Sequence, residues 1–328
     1  MSGDEPRIAL SGGVVAYNER TRIGPAIASL FAQRLPPGTE WSEIHVIVSG
    51  STDGTDDVVR TLAASDPRIR LVFQPEREGK ASALAEVFAR ARGDYLVLLN
   101  ADAVAAPDAV AELLGQAGTP MERFAVMGRP VPRRATTGTF ADAVGLLWAI
   151  HHSFHLLALG VGEGNHLSDE LLLLPVRHLP PIGMGIVNDG SFVGAWLSRN
   201  GGTLRYAPGA IVRITSPRTL REHVRQRRRI LYGHLQIHER MDVAPTTVER
   251  YALSHPLAAA RLVARDSRRP GGVLALVTLL AAEVVAVTLG AFDARSHRRD
   301  HVRWQPIIGT SPDSGLDTAR SAISSDGG

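Results

Sequence analysis

The sequence predicts an α/β fold, in which a mixed, mostly parallel sheet is flanked by helices. One observation is the continuous apolar run over residues 95–99, which ends abruptly at Asn100 and Asp102, as a buried central strand does. A second is the alternation of apolar runs with helical patterns over the first 100 residues, which indicates right-handed crossovers between parallel strands. Each run also ends in a polar loop, and in such sheets these loops share one edge.

The first half of the chain supplies four of the predicted strands. Each strand is a short apolar run bounded by polar or turn-forming residues, and the four cover residues 7–15, 43–48, 69–73 and 94–100. Helical spacing of apolar residues between them predicts helices over residues 23–33, 58–64 and 80–92.

The second half continues with alternating elements. Predicted helices cover residues 108–116, 140–159, 191–198 and 220–238, and predicted strands cover residues 124–131, 171–175 and 201–208. The helix over residues 140–159 is expected to be amphipathic and carries His151, His152 and His155. A zinc site needs three or four ligands at fixed spacing, and no further cluster is evident in the sequence. These histidines are therefore expected to line an acceptor cleft or to pack in the interior. The loop over residues 168–170, which enters the predicted strand over residues 171–175, is expected to lie near the acceptor.

Composition sets the broad class of the protein. With 328 residues and 44% hydrophobic content, the chain can form a full core. A net charge of +3 and 5% aromatic residues do not favour nucleic-acid binding. The absence of cysteine excludes disulfides and thiol chemistry, and the acidic start lacks the features of a signal peptide. Lys80 is the only lysine among 36 basic residues, which makes it a candidate for a special role.

Asp102 is the first candidate for a metal ligand. A carboxylate at the end of a rigid strand suits Mg²⁺, which keeps most of its water and takes only one or two protein carboxylates beside substrate phosphates. The alternative is that Asn100 and Asp102 only cap the following turn and helix.

The loop over residues 49–56 is the second candidate element of a site. Gly50 and Gly54 permit turns that let the backbone approach a ligand closely. The alternative is a simple turn in which Asp53 accepts from the N–H groups of the next helix. Lys80 offers a mobile positive charge after a third strand, although it also fits a solvated residue at the start of a helix.

The motifs at these strand ends resemble those of family 2 glycosyltransferases, which have the Rossmann-like GT-A fold. The resemblance is carried by residues 15–19 (Val-Ala-Tyr-Asn-Glu), 51–55 (Ser-Thr-Asp-Gly-Thr), 79–84 (which contain Gly-Lys) and 100–102 (Asn-Ala-Asp). The last of these is similar to the Asp-x-Asp motif of the family, with Asn100 in place of the first carboxylate. Four motifs in the correct order make the likeness specific, and it extends over about residues 7–240.

This resemblance implies roles for the strand-end residues. Asp102 would hold Mg²⁺ or Mn²⁺, with the diphosphate of a nucleotide-sugar and water completing the shell. The residues that would bind the donor are Ala16, Tyr17, Glu19, Ser49, Asp53, Lys80, Asn100 and Ala101.

Asp189 is the candidate general base. Residues 183–192 resemble the acidic acceptor-side motif of the family, with Asn188-Asp189 where many members have Glu-Asp. Inverting transfer needs a group that takes the proton of the acceptor hydroxyl, and a positioned carboxylate suffices. The alternative is that Asp189 is the N-cap of the helix over residues 191–198.

A basic segment over residues 226–230 resembles the Gln-x-x-Arg-Trp motif of processive, membrane-associated members such as cellulose, chitin and hyaluronan synthases. In that resemblance Gln226 and Arg229 approach the acceptor and the donor diphosphate. Ile230 replaces the tryptophan that would hold an acceptor sugar, which argues against processive synthesis. The alternative is a basic amphipathic helix that lies on an anionic membrane.

The C-terminal third contains an apolar segment over residues 272–292, long enough to cross a bilayer and interrupted only by Glu283. Arginines flank both sides, so the positive-inside rule gives no orientation for a single span, and an interfacial or re-entrant helix explains the balance better. A helix buried against the catalytic domain is the alternative. The predicted division is a GT-A domain (1–240), a membrane-associated helical region (241–310) and a disordered tail (311–328).

These expectations combine into one predicted function. The chain would transfer a sugar with inversion from a nucleotide-sugar, expected to be a UDP-sugar, to a glycan or lipid-linked acceptor beside membrane lipids. The predicted location is a bacterial cytoplasmic membrane with the catalytic domain facing the cytoplasm. The alternatives are a non-catalytic binder of nucleotide-sugars and, less favoured, a nucleotidyltransferase.

Overall fold

The computed structural model of the protein describes residues 7–133, 137–160, 162, 164–268, 271–296 and 301. In this part of the chain, eight strands form one sheet. The strands are β1 (Ile8–Ala16), β2 (Thr39–Ser49), β3 (Ile69–Gln74), β4 (Tyr95–Asn100), β5 (Ala103–Ala105), β6 (Phe124–Pro132), β7 (Leu171–Pro175) and β8 (Thr203–Ile214).

The sheet has the order β3-β2-β1-β4-β7-β6-β8-β5. The first four strands along the chain pair in parallel, as predicted. β7 then inserts between β4 and β6 and is antiparallel to both. The sheet is therefore mixed. The three residues of β5 are too few to show a periodicity, so the sequence does not predict this strand, which pairs with β8.

Ten α-helices surround the sheet in the described ranges. They are α1 (Ile23–Phe31), α2 (Thr55–Ser65), α3 (Lys80–Arg90), α4 (Ala109–Gly115), α5 (Thr139–Gly160), α6 (Asp189–Arg199), α7 (Leu220–Met241), α8 (Val248–Ser254), α9 (Pro256–Asp266) and α10 (Gly272–Ser296). One face of the sheet packs on α1 and α4, and the other on α3, α6 and α7, which gives a core on each side.

A third, smaller core joins α5 to the C-terminal helices. Phe154, Tyr251, Leu262 and Leu279 are buried together where α5, α8, α9 and α10 meet. α5 also carries exposed apolar side chains, Leu156 and Leu157, whereas an amphipathic helix was expected there. Both α5 and α10 are long and apolar enough to cross a membrane by length and composition. The predicted tail over residues 311–328 lies outside the described residues.

Glu283 is paired inside the protein. Its carboxylate accepts from Arg227 Nε at 2.8 Å and lies 3.3 Å from His223 Nε2, and both partners belong to α7. One further ion pair, Arg228 with the buried Asp293, also joins α7 to α10. The carboxylate that would be costly in lipid is thus held against the neighbouring helix.

The other face of α10 is apolar and exposed. Its side chains are spaced by about one helical turn, as expected for one face of a helix. The exposed residues are Val273, Leu274, Val277, Leu280, Val284, Val285, Val287 and Phe292.

Candidate active site

The ends of β1, β2 and β4 bring the first group of predicted site residues to one edge of the sheet. These strands are adjacent and parallel, with Ala16 beside Val48 and Val15 beside Asn100. The polar loops that follow them therefore leave the sheet together, as the sequence predicts.

Two of these loops are joined by backbone-to-side-chain hydrogen bonds. Asn18 has φ of 54°, a left-handed conformation that asparagine tolerates, and its N–H donates to Ser51 Oγ at 3.0 Å. The Glu19 N–H donates to Thr55 Oγ1 at 2.8 Å. Asp53 accepts from the N–H groups of Arg20 at 3.1 Å and Thr55 at 3.0 Å. Asp53 thus joins the two loops and accepts from the first N–H group of α2. The sequence analysis gave this structural role as the alternative to ligand binding.

Tyr17 and Ser49 lie beside the segment that follows β3. The Arg77 guanidinium stacks over the Tyr17 ring, 3.8 Å from its centroid, and Ser49 Oγ donates to the Glu76 carbonyl oxygen at 3.4 Å. A Cβ at Gly50 would lie 2.6 Å from the Arg77 nitrogen, so this close approach of two backbones needs glycine.

The buried Glu19 and the half-buried Asp102 interact electrostatically. Burial, and to a lesser extent the charge of Asp102, raise the pKa of Glu19 to about 8. The Arg22 guanidinium, whose Nε lies 2.5 Å from the Glu19 carboxylate, opposes this rise. Burial also raises the pKa of Asp102, and the charges of Arg22 and Lys80 oppose that rise. A divalent cation would relieve the cost of holding these two carboxylates together.

No group of three or more histidine, aspartate or glutamate side chains in the described ranges is arranged to hold a metal ion. That Asp102 would be a single protein ligand, with the remaining ligands coming from substrate and water, stays a prediction. Asn100 and Ala101 precede Asp102 at the end of β4, and the Asn100 N–H donates to the Glu170 carbonyl oxygen at 3.2 Å.

Lys80 lies between two carboxylates. Its Nζ forms an ion pair with Asp169 and lies 3.0 Å from Asp189 Oδ2. Burial alone would lower the pKa of Lys80, but the two carboxylates raise it instead. Lys80 is thus directed toward Asp189, the candidate base, and toward Asp169, a second acid to which the sequence analysis gave no role.

Asp189 is the first residue of α6 and is 8% exposed. The N-cap of α6 is Asn188, whose Oδ1 accepts from the Ser191 N–H at 3.0 Å. Asp189 therefore does not serve as the cap proposed in the alternative. Burial and the Asp169 charge raise the pKa of Asp189, while Lys80 opposes that rise.

α7 contributes Arg229. Its Nη2 donates to the Val187 carbonyl oxygen at 2.9 Å, and burial lowers its pKa against the charges of Asp189 and Asp169. Gln226 lies one turn earlier on the same helix and is half-buried. Among the described residues, Gln226 makes no hydrogen bond with Asp169 or Asp189.

The sequence matches known families over most of its length. Residues 11–150 match the family described as Glycosyl transferase family 2, and residues 95–292, more than half of the chain, match the one described as Glycosyl transferase family group 2. The chain is a family 2 glycosyltransferase. The resemblance drawn from the strand-end motifs is confirmed.

Named relatives of this glycosyltransferase match only part of its sequence. A dolichol-phosphate mannosyltransferase of Saccharomyces cerevisiae is 32% identical over 100 residues, which cover 30% of this chain and 38% of the relative. The dolichyl-phosphate beta-glucosyltransferase ALG5C of Trichomonas vaginalis is 35% identical over 104 residues, covering 30% and 31%. The chain thus spans well under half the length of these relatives.

One solved structure supports the fold over nearly the whole chain. The mannosyltransferase PcManGT from Pyrobaculum calidifontis, in complex with GDP-Man and Mn²⁺, aligns with a TM-score of 0.62 and 20% identity. The alignment covers 89% of this chain and 88% of that one. At this identity the similarity shows the GT-A fold and leaves the substrates of the glycosyltransferase to be argued from its site.

Two of the three histidines of α5, His151 and His155, belong to a largely buried cluster in this glycosyltransferase, whereas His152 Nδ1 lies 2.7 Å from the Tyr206 hydroxyl. His155 Nε2 lies 3.1 Å from His151 Nε2, and the rings of His166 and His234 complete the group. Burial lowers the pKa of each, for His151 to about 3 and for His166 to about 4. They pack as neutral rings, one of the two roles expected from the sequence.

Asp169 is a site residue to which sequence reasoning assigned no role, although the loop over residues 168–170 was expected near the acceptor. It precedes the apolar strand β7, so the pattern of polar residues beside a buried strand was visible. In the parallel strands, the residues that reach the site edge come after the strand in sequence. β7 is antiparallel to β4, with Leu171 opposite Leu99, so the residues that reach this edge come before it. The start of β7 therefore lies at the same edge as the end of β4, and only the topology reveals it.

Proposed function

We propose that this family 2 glycosyltransferase transfers a sugar with inversion from a nucleoside diphosphate sugar to the hydroxyl of a lipid-linked or other membrane-proximal acceptor. The observation that carries the proposal is the position of Asp189: a buried carboxylate beside Lys80, at the same sheet edge as Glu19 and Asp102. Glu19 and Asp102 are suited to the donor side of the site, and Asp189 is suited to the acceptor side.

The chemical step requires one proton acceptor and one stabilised leaving group. Asp189 takes the proton of the acceptor hydroxyl as its oxygen forms a bond to the anomeric carbon. The bond from that carbon to the diphosphate oxygen breaks, and the nucleoside diphosphate leaves with the electron pair. Arg229 stabilises the leaving group through its guanidinium, and Gln226 contacts the acceptor.

The donor side is assigned to the loops that follow β1, β2 and β4. Glu19, Tyr17 and Asp53 lie in or beside the two loops that are joined by hydrogen bonds, and this rigidity suits a nucleotide-binding wall. The other donor-side residues in the proposal are Ala16, Ser49, Lys80, Asn100 and Ala101.

The residues at the end of β4 fit a divalent cation. The half-buried Asp102 offers an oxygen ligand, and a bound cation would favour release of the proton from the neighbouring Glu19 carboxyl. Asp102 would hold Mg²⁺ or Mn²⁺, which when bound neutralises charge on the donor diphosphate.

The proposed location is the cytoplasmic membrane of a bacterium, with the catalytic domain facing the cytoplasm. The exposed apolar face of α10 supports it, since patches of this kind mark interaction surfaces. The ion pairs from α7 to Glu283 and Asp293 support a helix that lies in the plane of the membrane surface, because the polar side of α10 is already occupied by protein.

A nucleotide-release screen tests the proposed activity. Purified protein is incubated with UDP-, GDP- and dTDP-sugars in the presence of Mg²⁺, Mn²⁺ or EDTA. We expect metal-dependent release of one nucleoside diphosphate, lost in Asp102→Ala. Thermal protection by a donor without release in any condition would instead support a non-catalytic binder. Release of pyrophosphate from a nucleoside triphosphate and a sugar phosphate would support a nucleotidyltransferase.

The acceptor class is tested with Asp189→Asn. Two of the relatives are named for dolichol phosphate, and transfer to a phosphate oxygen removes no proton. With a polyprenyl phosphate as acceptor, the variant should therefore keep most of its rate, and only an unchanged rate with a hydroxyl acceptor would contradict a base at Asp189. Loss of transfer by about 100-fold or more to a hydroxyl acceptor, with donor binding intact, supports the proposed role.

A further inference from the structure

Two acids from separate segments of the chain share the only lysine of this protein. Asp169 precedes β7, Asp189 begins α6, and Lys80 begins α3, so three elements meet at one ammonium group. The Lys80 and Asp189 side chains are 20% and 10% exposed, and Asp169 is 27% exposed. Ion pairs this sheltered are screened little by solvent.

The position of Asp169 is fixed by its contact with the backbone of α6. A Cβ at Gly190 would lie 2.8 Å from the Leu167 carbonyl oxygen and 3.2 Å from the Asp169 Cβ. One turn later, a Cβ at Gly194 would lie 2.3 Å from the Asn165 carbonyl oxygen. Two glycines on one face of α6 thus let residues 165–169 pack directly against the helix that carries Asp189.

The charged groups around Lys80 shift the pKa values of Asp169 and Asp189 in opposite directions. Burial opposes the charge of Asp169, but the Lys80 ammonium outweighs it and lowers the pKa of Asp169, whereas the pKa of Asp189 is raised. Other charged groups in the described ranges that act on these acids or on Lys80 include Glu170 beside Asp169, Arg229 of α7, and Asp102 at the end of β4.

We propose that Asp169 is a positioning residue, which anchors the Lys80 ammonium so that Lys80 in turn orients the carboxylate of Asp189 toward the acceptor. This inference rests on the proposed function, in which Asp189 is the base. Asp169 remains ionised and takes no proton from substrate. Lys80 then serves the acceptor side of the site as well as the donor side that the family resemblance implies.

The single lysine allows a test that does not depend on activity. Protein labelled with ¹⁵N at the lysine side chain should show one ammonium resonance in a heteronuclear spectrum, protected from rapid exchange by its two acidic partners. We expect Asp169→Asn to shift this resonance or to lose it through faster exchange. The exposed Asp57→Asn is the matched control and should leave it unchanged. An unchanged resonance in Asp169→Asn overturns the proposal.

The pH dependence of kcat supplies the second test, since a base must be ionised to act. Removing the Asp169 charge lowers the pKa of Asp189, so Asp169→Asn should move the acid limb of the profile to lower pH and reduce kcat by about 10- to 100-fold. Lys80→Met removes a positive charge and should move the same limb to higher pH. The KM for the donor should change little in Asp169→Asn.

The two tests separate failure of the inference from failure of the proposed function. Shifts of the acid limb in the same direction in both variants, or no shift in either, would overturn the positioning role even if the wild type is active. A wild type that releases no nucleotide from any donor contradicts the proposed function, and the lysine resonance still decides whether Asp169 anchors Lys80. If Asp169→Asn does not fold, the direction of the shift in Lys80→Met decides.

Discussion

Replacing Glu19 by glutamine should stabilise the metal-free protein above neutral pH, although Glu19 belongs to the proposed donor site. Its side chain is 8% exposed and in electrostatic contact with Asp102, with Arg22 as its partner. A buried carboxyl of raised pKa stays protonated in the folded protein under conditions in which the unfolded chain has released its proton.

The size of the effect follows from the two pKa values. The pKa of Glu19 is about 8 in the folded protein and 4.5 as the reference value. As the pH rises between these values, only the unfolded chain loses the proton, so the folded state loses about 1.4 kcal/mol of stability for each pH unit. From about pH 5 to about pH 7.5 the accumulated loss is roughly 3 kcal/mol. Glutamine does not titrate, so Glu19→Gln should escape this loss.

The assay is urea unfolding of wild type and Glu19→Gln in EDTA, between about pH 5 and about pH 8. The difference in free energy of unfolding should grow in favour of the variant as the pH rises, since all other titrating groups are common to both proteins. Glu40→Gln makes the same chemical change at an exposed position and should give a difference that is flat with pH. A flat difference for Glu19→Gln as well would refute the burial argument.

Three further substitutions test other parts of the molecule. Asn100→Asp adds a second carboxylate to the proposed metal site and should lower the Mn²⁺ concentration for half-maximal nucleotide release by roughly 3- to 10-fold. Gly190→Ala should lower the free energy of unfolding in urea by about 1–3 kcal/mol, because its Cβ would meet the Leu167 carbonyl oxygen at 2.8 Å. Asp293→Asn should lower it by about 3 kcal/mol and make α10 more sensitive to protease, because the Arg228 guanidinium loses its charged partner.

Each of these predictions has a contrary outcome. No atom lies within 4 Å of a Cβ at Gly115, so Gly115→Ala in α4 should stabilise the protein by up to about 1 kcal/mol. Equal effects at Gly115 and Gly190 would contradict the close packing on α6. A higher Mn²⁺ requirement in Asn100→Asp would contradict metal binding at this strand end, and unchanged protease sensitivity in Asp293→Asn would contradict its role in holding α10.

Local patterns were sufficient to predict the strands and helices that frame the site. The apolar run ending at Asn100 identified the central strand, and the loops after β1 and β2 identified the edge where Glu19 and Asp53 lie. These features depend on the period of apolar residues and on turn chemistry, both of which are local in sequence. The N-cap of α6 is Asn188, one residue before the Asp189 that was considered for this role. Asparagine and aspartate are both favoured at N-cap positions, so the sequence did not distinguish between them.

Partners that are distant in sequence could not be predicted from such patterns. Glu283 was expected to be costly in a membrane, and its pairing with Arg227 depends on how two helices pack. Residues 168–170 were expected near the acceptor, but the ion pair of Asp169 with Lys80 was not predicted, because it depends on the direction of β7. Both cases depend on how helices and strands are arranged in space, which local sequence patterns do not show.

The three consecutive arginines of α7 have a consequence for work with shortened chains. Arg227 and Arg228 pair with acids of α10, while the next residue, Arg229, reaches the Val187 carbonyl oxygen beside the candidate base. Deleting the apolar helix to improve solubility would leave two sheltered guanidinium groups without those carboxylates, directly before the residue assigned to the leaving group. Loss of activity in a truncated protein would therefore say little about membrane binding, and point substitutions on the exposed face of α10 are the cleaner way to examine it.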